Sequence, residues 1–133
     1  MVNTSSAALR VGLPYTFIRH GIEIRVNAIE FDNQQQLLVN LTLEEKRGSN
    51  ADLSTDHLLE ARAQDGHPLR YVHVIRGNHP LPDSSIQMTP HQEAQVSLVF
   101  EPVALSTATV SEESRSVEVH FPTGKWWSSS IQE

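Results

Sequence analysis

Seven histidines in 133 residues are the side chains of this chain most able to do chemistry. Neutral imidazole is a common ligand for transition metals. His73, His79 and His91, with the thioether of Met88 near them in sequence, form the most suggestive set, and imidazole with thioether would suit copper. A metal site needs three or four ligands converging in space. The chain offers no HxxxH pair on a helix-like stretch, no HxH pair on a strand-like one and no cysteine. The histidines therefore read as loop and surface residues, and no metal or other cofactor is expected. A periplasmic metal-handling protein using these histidines stands as the alternative function.

Nucleophilic catalysis asks for a nucleophile, a base and a group that orients the base. Serines, histidines and acids are plentiful, yet no G-x-S-x-G elbow, P-loop or dinucleotide fingerprint occurs. Glu44 and Glu45 are adjacent on a strand-like run, so they point to opposite faces and share no site. Glu112 and Glu113 lie in a serine-rich stretch and read as a solvated face. No catalytic residue is assigned, and the expectation is a protein that is not an enzyme. Trp126 and Trp127 differ from the other aromatics. They follow a Pro-Thr-Gly breaker, flanked by Lys125 and three serines. One indole can fold back onto a core; the pair is also the candidate anchor for a partner.

These residues must be positioned by strands. In His20 to Glu45, Ile22, Ile24, Val26 and Ala28 share one face, and Leu37, Val39, Leu41 and Leu43 share another. Period two is the signature of half-buried strands. Asp32 and Asn33 make the connector a turn, giving an antiparallel hairpin. Thr42 falls on the opposite parity and is expected to face water. Parity changes near Ala28, which a β-bulge or a strand changing sheets would explain. Further strands are expected around Tyr15–Ile18, Leu59–Ala63, Leu69–Ile75, Ile86–Met88, Val96–Phe100 and Val117–Phe121. Asp65-Gly66 is a turn signal. The inward parity of residues 69–75 stays open.

Bulk properties agree with one domain. Residues 1–10 read as a flexible tail, 11–122 as the domain and 123–133 as a C-terminal tail. A net charge of −6 disfavours nucleic acid, which wants a basic patch. No run approaches the roughly 20 apolar residues needed to span a bilayer. The first residues lack a basic segment followed by a long apolar one, so no signal peptide is read. The absence of cysteine excludes disulfides. Together the pattern gives an all-β antiparallel β-sandwich of about seven strands, with a barrel as its competitor; an immunoglobulin-like sandwich, lacking the Cys…Trp…Cys pattern, would rest on apolar packing alone.

The order of features resembles the bacterial immunoglobulin-like domains grouped as the DUF4352 family. The resemblance is carried by Val11-Gly12, by Gly21-Ile22-Glu23-Ile24-Arg25-Val26 and by Val39-Asn40-Leu41-Thr42-Leu43. It continues through Ala51-Asp52-Leu53-Ser54, Gln64-Asp65-Gly66-His67, Thr89-Pro90-His91-Gln92-Glu93 and Val96 to Glu101. Two positions depart from the family pattern. His91 stands where a turn glycine is usual, and Glu45-Lys46-Arg47 replaces an asparagine-bearing strand end. The resemblance implies an extracytoplasmic, non-enzymatic binding or accessory module. Its partner would be a protein, and exposed edge strands would also allow homo-oligomers.

Overall fold

The first strand, β1 (Tyr15–Arg19), turns into β2 (Ile22–Phe31) through His20 and Gly21 alone. Both turn residues have positive φ, 54° and 78°. That is the type I′ geometry, whose twist matches that of the strands it joins. β3 (Leu37–Glu45) follows a connector closed by its own aspartate. Asp32 Oδ1 accepts from the N–H of Gln34 at 2.8 Å and of Gln36 at 2.9 Å. The computed structural model describes residues 10–34, 36–63, 68–102 and 117–128. The Asp65-Gly66 turn, the Glu112-Glu113 pair, residues 1–9 and residues 129–133 lie outside them.

The remaining strands are β4 (Ala51–Ser54), β5 (Glu60–Ala63), β6 (Leu69–Arg76), β7 (His79–Pro80), β8 (Ser85–Met88), β9 (Glu93–Pro102), β10 (Val117–His120) and β11 (Trp126–Ser128). The described residues thus form eleven strands, against about seven expected. The extra ones are short: β7 has two residues and β11 three. A six-stranded sheet has the order β1-β2-β3-β9-β6-β7. Facing it are a three-stranded sheet, β11-β10-β5, and a two-stranded one, β4-β8. All named strand pairs are antiparallel.

One core lies between these layers. Ile22, Ile24, Val26, Leu37, Val39, Leu41, Leu43, Val96 and Leu98 line the inner face of the large sheet. Leu53, Ile86, Met88, Ala61, Val117 and Val119 meet them from the small sheets, and Phe121 from just beyond β10. This is an all-β sandwich.

Two bulges set the parity. The β2–β3 register shifts between Val26 and Ala28, leaving Asn27 as the extra residue. After it, Ile29 and Phe31 join the inner face, so the parity change is a bulge rather than a strand changing sheets. The second shift falls between Tyr71 and His73 on β6. Leu69 and Tyr71 pack against the core before it, and Val74 after it. With Val72 inserted, no single parity describes residues 69–75.

Two expectations need correction. Thr42 is not on a wet face: it is buried, 6% exposed, and its hydroxyl accepts from Asn27 Nδ2 at 2.7 Å. The bulge aims Asn27 across that face and so covers Thr42. Trp126–Ser128, placed in the C-terminal tail, form β11 and pair with Glu118–His120. Leu41→Ala should therefore cost about 2–5 kcal/mol through lost burial and a cavity. Thr42→Ala should cost about 0.5–1.5 kcal/mol, the usual worth of a hydrogen bond. Denaturant unfolding midpoints check both; a Thr42→Ala effect indistinguishable from zero would contradict the buried contact.

Candidate functional site

Three histidines serve the backbone. Among the described residues, His20, His57 and His91 are the non-glycine residues with positive φ, at 54°, 62° and 60°. Histidine is among the side chains enriched in that region. His57 occupies the turn in which Leu58 N–H donates to the Thr55 carbonyl at 3.2 Å. His91 occupies the turn Thr89–Gln92, closed by Gln92 N–H donating to the Thr89 carbonyl at 3.0 Å. Pro90 before a residue of positive φ is the type II pattern.

The suggested metal set is dispersed. His73 lies on β6 with Val99 as its cross-strand neighbour. His79 is on β7. Met88 is buried in the core. The His91 ring lies against Gly48, where a Cβ would come within 3.0 Å of its Nε2. Among the described residues, no group of three or more His, Cys, Asp or Glu side chains is placed to hold a metal.

Glu45 is the chemically distinctive carboxylate. Its side chain is 1% exposed at the end of β3. Oε2 accepts from Arg47 N–H at 2.9 Å. Oε1 accepts from Gly48 at 2.8 Å, Ser49 at 3.2 Å and His91 at 2.9 Å, all backbone N–H groups. One carboxylate thus ties the loop after β3 to the turn before β9. The His91 N–H does most to hold the carboxyl below the ordinary glutamate range. Burial pushes the other way, and the N–H groups of Ser49, Gly48 and Arg47 add to the lowering. Glu44 points outward, as expected of its neighbour, and pairs with Lys46 at 3.3 Å. Glu45 shares the parity of Leu37 to Leu43, and that was the signal for an inward carboxylate.

Both tryptophans have internal partners. Trp127 packs against the core. Trp126 lies on the outer face, where His120 stacks beside it, centroids 6.3 Å apart at 23°. The Arg10 guanidinium sits 5.7 Å from the same ring. β11 runs between β10 and the Arg10 segment, so the indole is flanked from both sides.

An open groove of about 390 Å³ is lined by His20, Arg47, Asn50, Asp52, Ser54 and Ser85, among others. No hydrogen bond joins His20 to Asp52 or to these serines among the described residues.

The sheet edges remain. β7 is short and ends in Pro80. β11 is flanked by the Arg10 bridge, and β5 by a bridge from Arg62 to Pro68. β4 and β8 each have four residues, with polar Asp52, Ser54 and Gln87 between their apolar ones. β1 is different. It has five residues and one strand neighbour, β2, among the described residues. Its Ile18 is 65% exposed, the most exposed large apolar side chain described. Lysine, proline and bulges are the usual guards of an edge; none interrupts Tyr15–Arg19.

No family model matches the chain, and no curated protein does. A solved structure does. The chain is similar to an uncharacterized β-sandwich protein from Clostridium difficile 630, with a TM-score of 0.51 and 15% identity. The likeness covers 90% of this chain and 91% of that one, and it supports the β-sandwich fold.

The depressed Glu45 carboxyl links stability to acid. Its folded pKa lies below the unfolded one. The ionised carboxylate therefore stabilises the fold above the unfolded value, and that contribution is lost as pH falls through the folded one. Glu45→Gln should be less stable than wild type at neutral pH and should lose less on acidification. Denaturant unfolding from neutral pH downward checks it. Parallel losses in the two proteins would show that Glu45 does not carry the linkage.

Proposed function

We propose that this chain is a non-enzymatic binding module that takes an extended polypeptide onto the β1 edge. The observation that carries the reading is the combination at β1 of an unguarded edge and the exposed Ile18. Strand addition draws affinity from main-chain hydrogen bonds and specificity from alternate side chains. The β1–β2 hairpin is a rigid platform for that, since its type I′ turn fixes the register from Arg19↔Ile22 to Tyr15↔Val26. The two tryptophans are the lesser candidates for an anchor, because neighbours within the chain already flank or cover them.

The same proposal includes the immunoglobulin-like, DUF4352-type reading and the extracytoplasmic setting it implies. His91 has the positive φ for which a turn glycine is usual. The two departures from the family pattern also meet: His91 N–H donates to Glu45 Oε1. The donor is a main-chain N–H, which a glycine at this position would also supply, so the contact bears on Glu45 and not on the choice of histidine.

A photoreactive side chain introduced at Ile18 tests the reading in the source cell. It should cross-link a polypeptide, while the same group at Arg62, on the opposite sheet, should not. Equal capture from both positions, or none from Ile18, would overturn strand addition at β1.

A further inference from the structure

We infer that the polypeptide received by β1 is the β1 strand of a second copy of this chain, related by a two-fold axis at Phe17. The inference rests on the strand-addition reading and names its partner.

The hydrogen-bond phase of the hairpin decides which residues can bond outward, and centring on Phe17 uses them all. Residues opposite one another in an antiparallel pair alternate between hydrogen-bonded and non-hydrogen-bonded. The turn closes on Arg19↔Ile22, and a two-residue turn makes its closing pair a bonded one. Phe17↔Ile24 and Tyr15↔Val26 then bond as well, being two and four residues on. Thr16 and Ile18 are left with their N–H and C=O groups directed away from β2. These are the two residues through which an added strand must bond.

That pattern complements itself. With two copies antiparallel and Phe17 opposite Phe17, Thr16 of one copy lies opposite Ile18 of the other. Thr16 and Ile18 exchange both backbone bonds, twice over by symmetry, and no outward group of the strand's middle is left unmet. Such an isologous contact closes at two copies and does not propagate. The exposed side chains agree. The two Ile18 side chains become diagonal neighbours on the outer face, within reach of each other.

Charge agrees too. Across β2 and β1, Arg25 stands in line with Thr16, and Glu23 stands in line with Ile18. In the paired sheet each row therefore runs Arg25, Thr16, then Ile18 and Glu23 of the second copy. The ends are opposite in sign. Arg19 meets Tyr15 of the second copy, so no like charges are set opposite one another.

Sedimentation equilibrium across a wide concentration series tests the association, with the whole chain. The mass should double with rising concentration. Ile18→Lys, which sets two ammonium groups diagonally across the axis, should weaken the dimer about tenfold or more, with unchanged far-UV circular dichroism.

The register is tested separately, because the chain has no native cysteine. Paired residues lie about 5.5 Å apart at Cα, within disulfide reach. The double variant Thr16→Cys with Ile18→Cys should form covalent dimers on oxidation. Thr16→Cys alone should not, since its two copies are diagonal and too distant. Efficient linking by Thr16→Cys alone would overturn the register. A monomer at every concentration, with no linking by the double variant, would overturn the second copy as partner. In that case, capture of a different polypeptide from Ile18 would leave strand addition standing, and its absence would remove both readings.

Discussion

The apolar row that crosses β2, β3 and β9, from Ile24 through Leu43 to Ala94 and from Val26 through Leu41 to Val96, has to be kept from water. One row of that kind demands a second layer, because a sheet with one apolar face is unstable alone. Two small sheets supply it. β4 and β8 bring Leu53, Ile86 and Met88; β5 and β10 bring Ala61, Val117 and Val119. Each is short, and the seams between them are closed by side chains and turns. Arg76 Nη1, for example, donates to the Gln87 carbonyl at 2.9 Å, tying β6 to β8. Tyr15, Phe17 and Phe121 close the other side, with Tyr15 and Phe121 centroids 4.7 Å apart.

Glu45 shows how that layered arrangement is held at one end. The chain must leave β3, cross to β4, and later return from β8 into β9. Both passages expose backbone N–H groups near the core. A carboxylate that accepts four of them satisfies the loops without another strand. The histidines belong to the same account. Where the chain turns with positive φ, glycine is the easy residue. Here three such corners carry histidine, and this use of histidine is structural.

Much of this was written in particular residues. The alternation of Ile22, Ile24 and Val26, then of Leu37 to Leu43, placed the central hairpin and its inner face. The switch at Ala28 marked the Asn27 bulge. Residues 69–75 were opaque because the Val72 bulge breaks the alternation inside an evenly apolar run. Thr42 misled because its burial comes from Asn27, a residue fifteen positions away that only the bulge brings across. Trp126–Ser128 is too short to show a period. Glu45 looked like one of a charged pair, and its partners are backbone groups that leave no trace in side-chain identity. The open edge of β1 depends on strand order, which alternation does not encode.

Amide hydrogen exchange resolved at Thr16, Phe17 and Ile18 bears most directly on the β1 edge. In dilute protein, the Phe17 N–H should be protected by its bond to β2, while those of Thr16 and Ile18 should exchange as open groups. On association at β1, by raising the protein concentration, Thr16 and Ile18 should become protected and Phe17 should change little. Protection of Thr16 and Ile18 already present in the dilute monomer, or protection gained elsewhere while they stay open, would contradict the account.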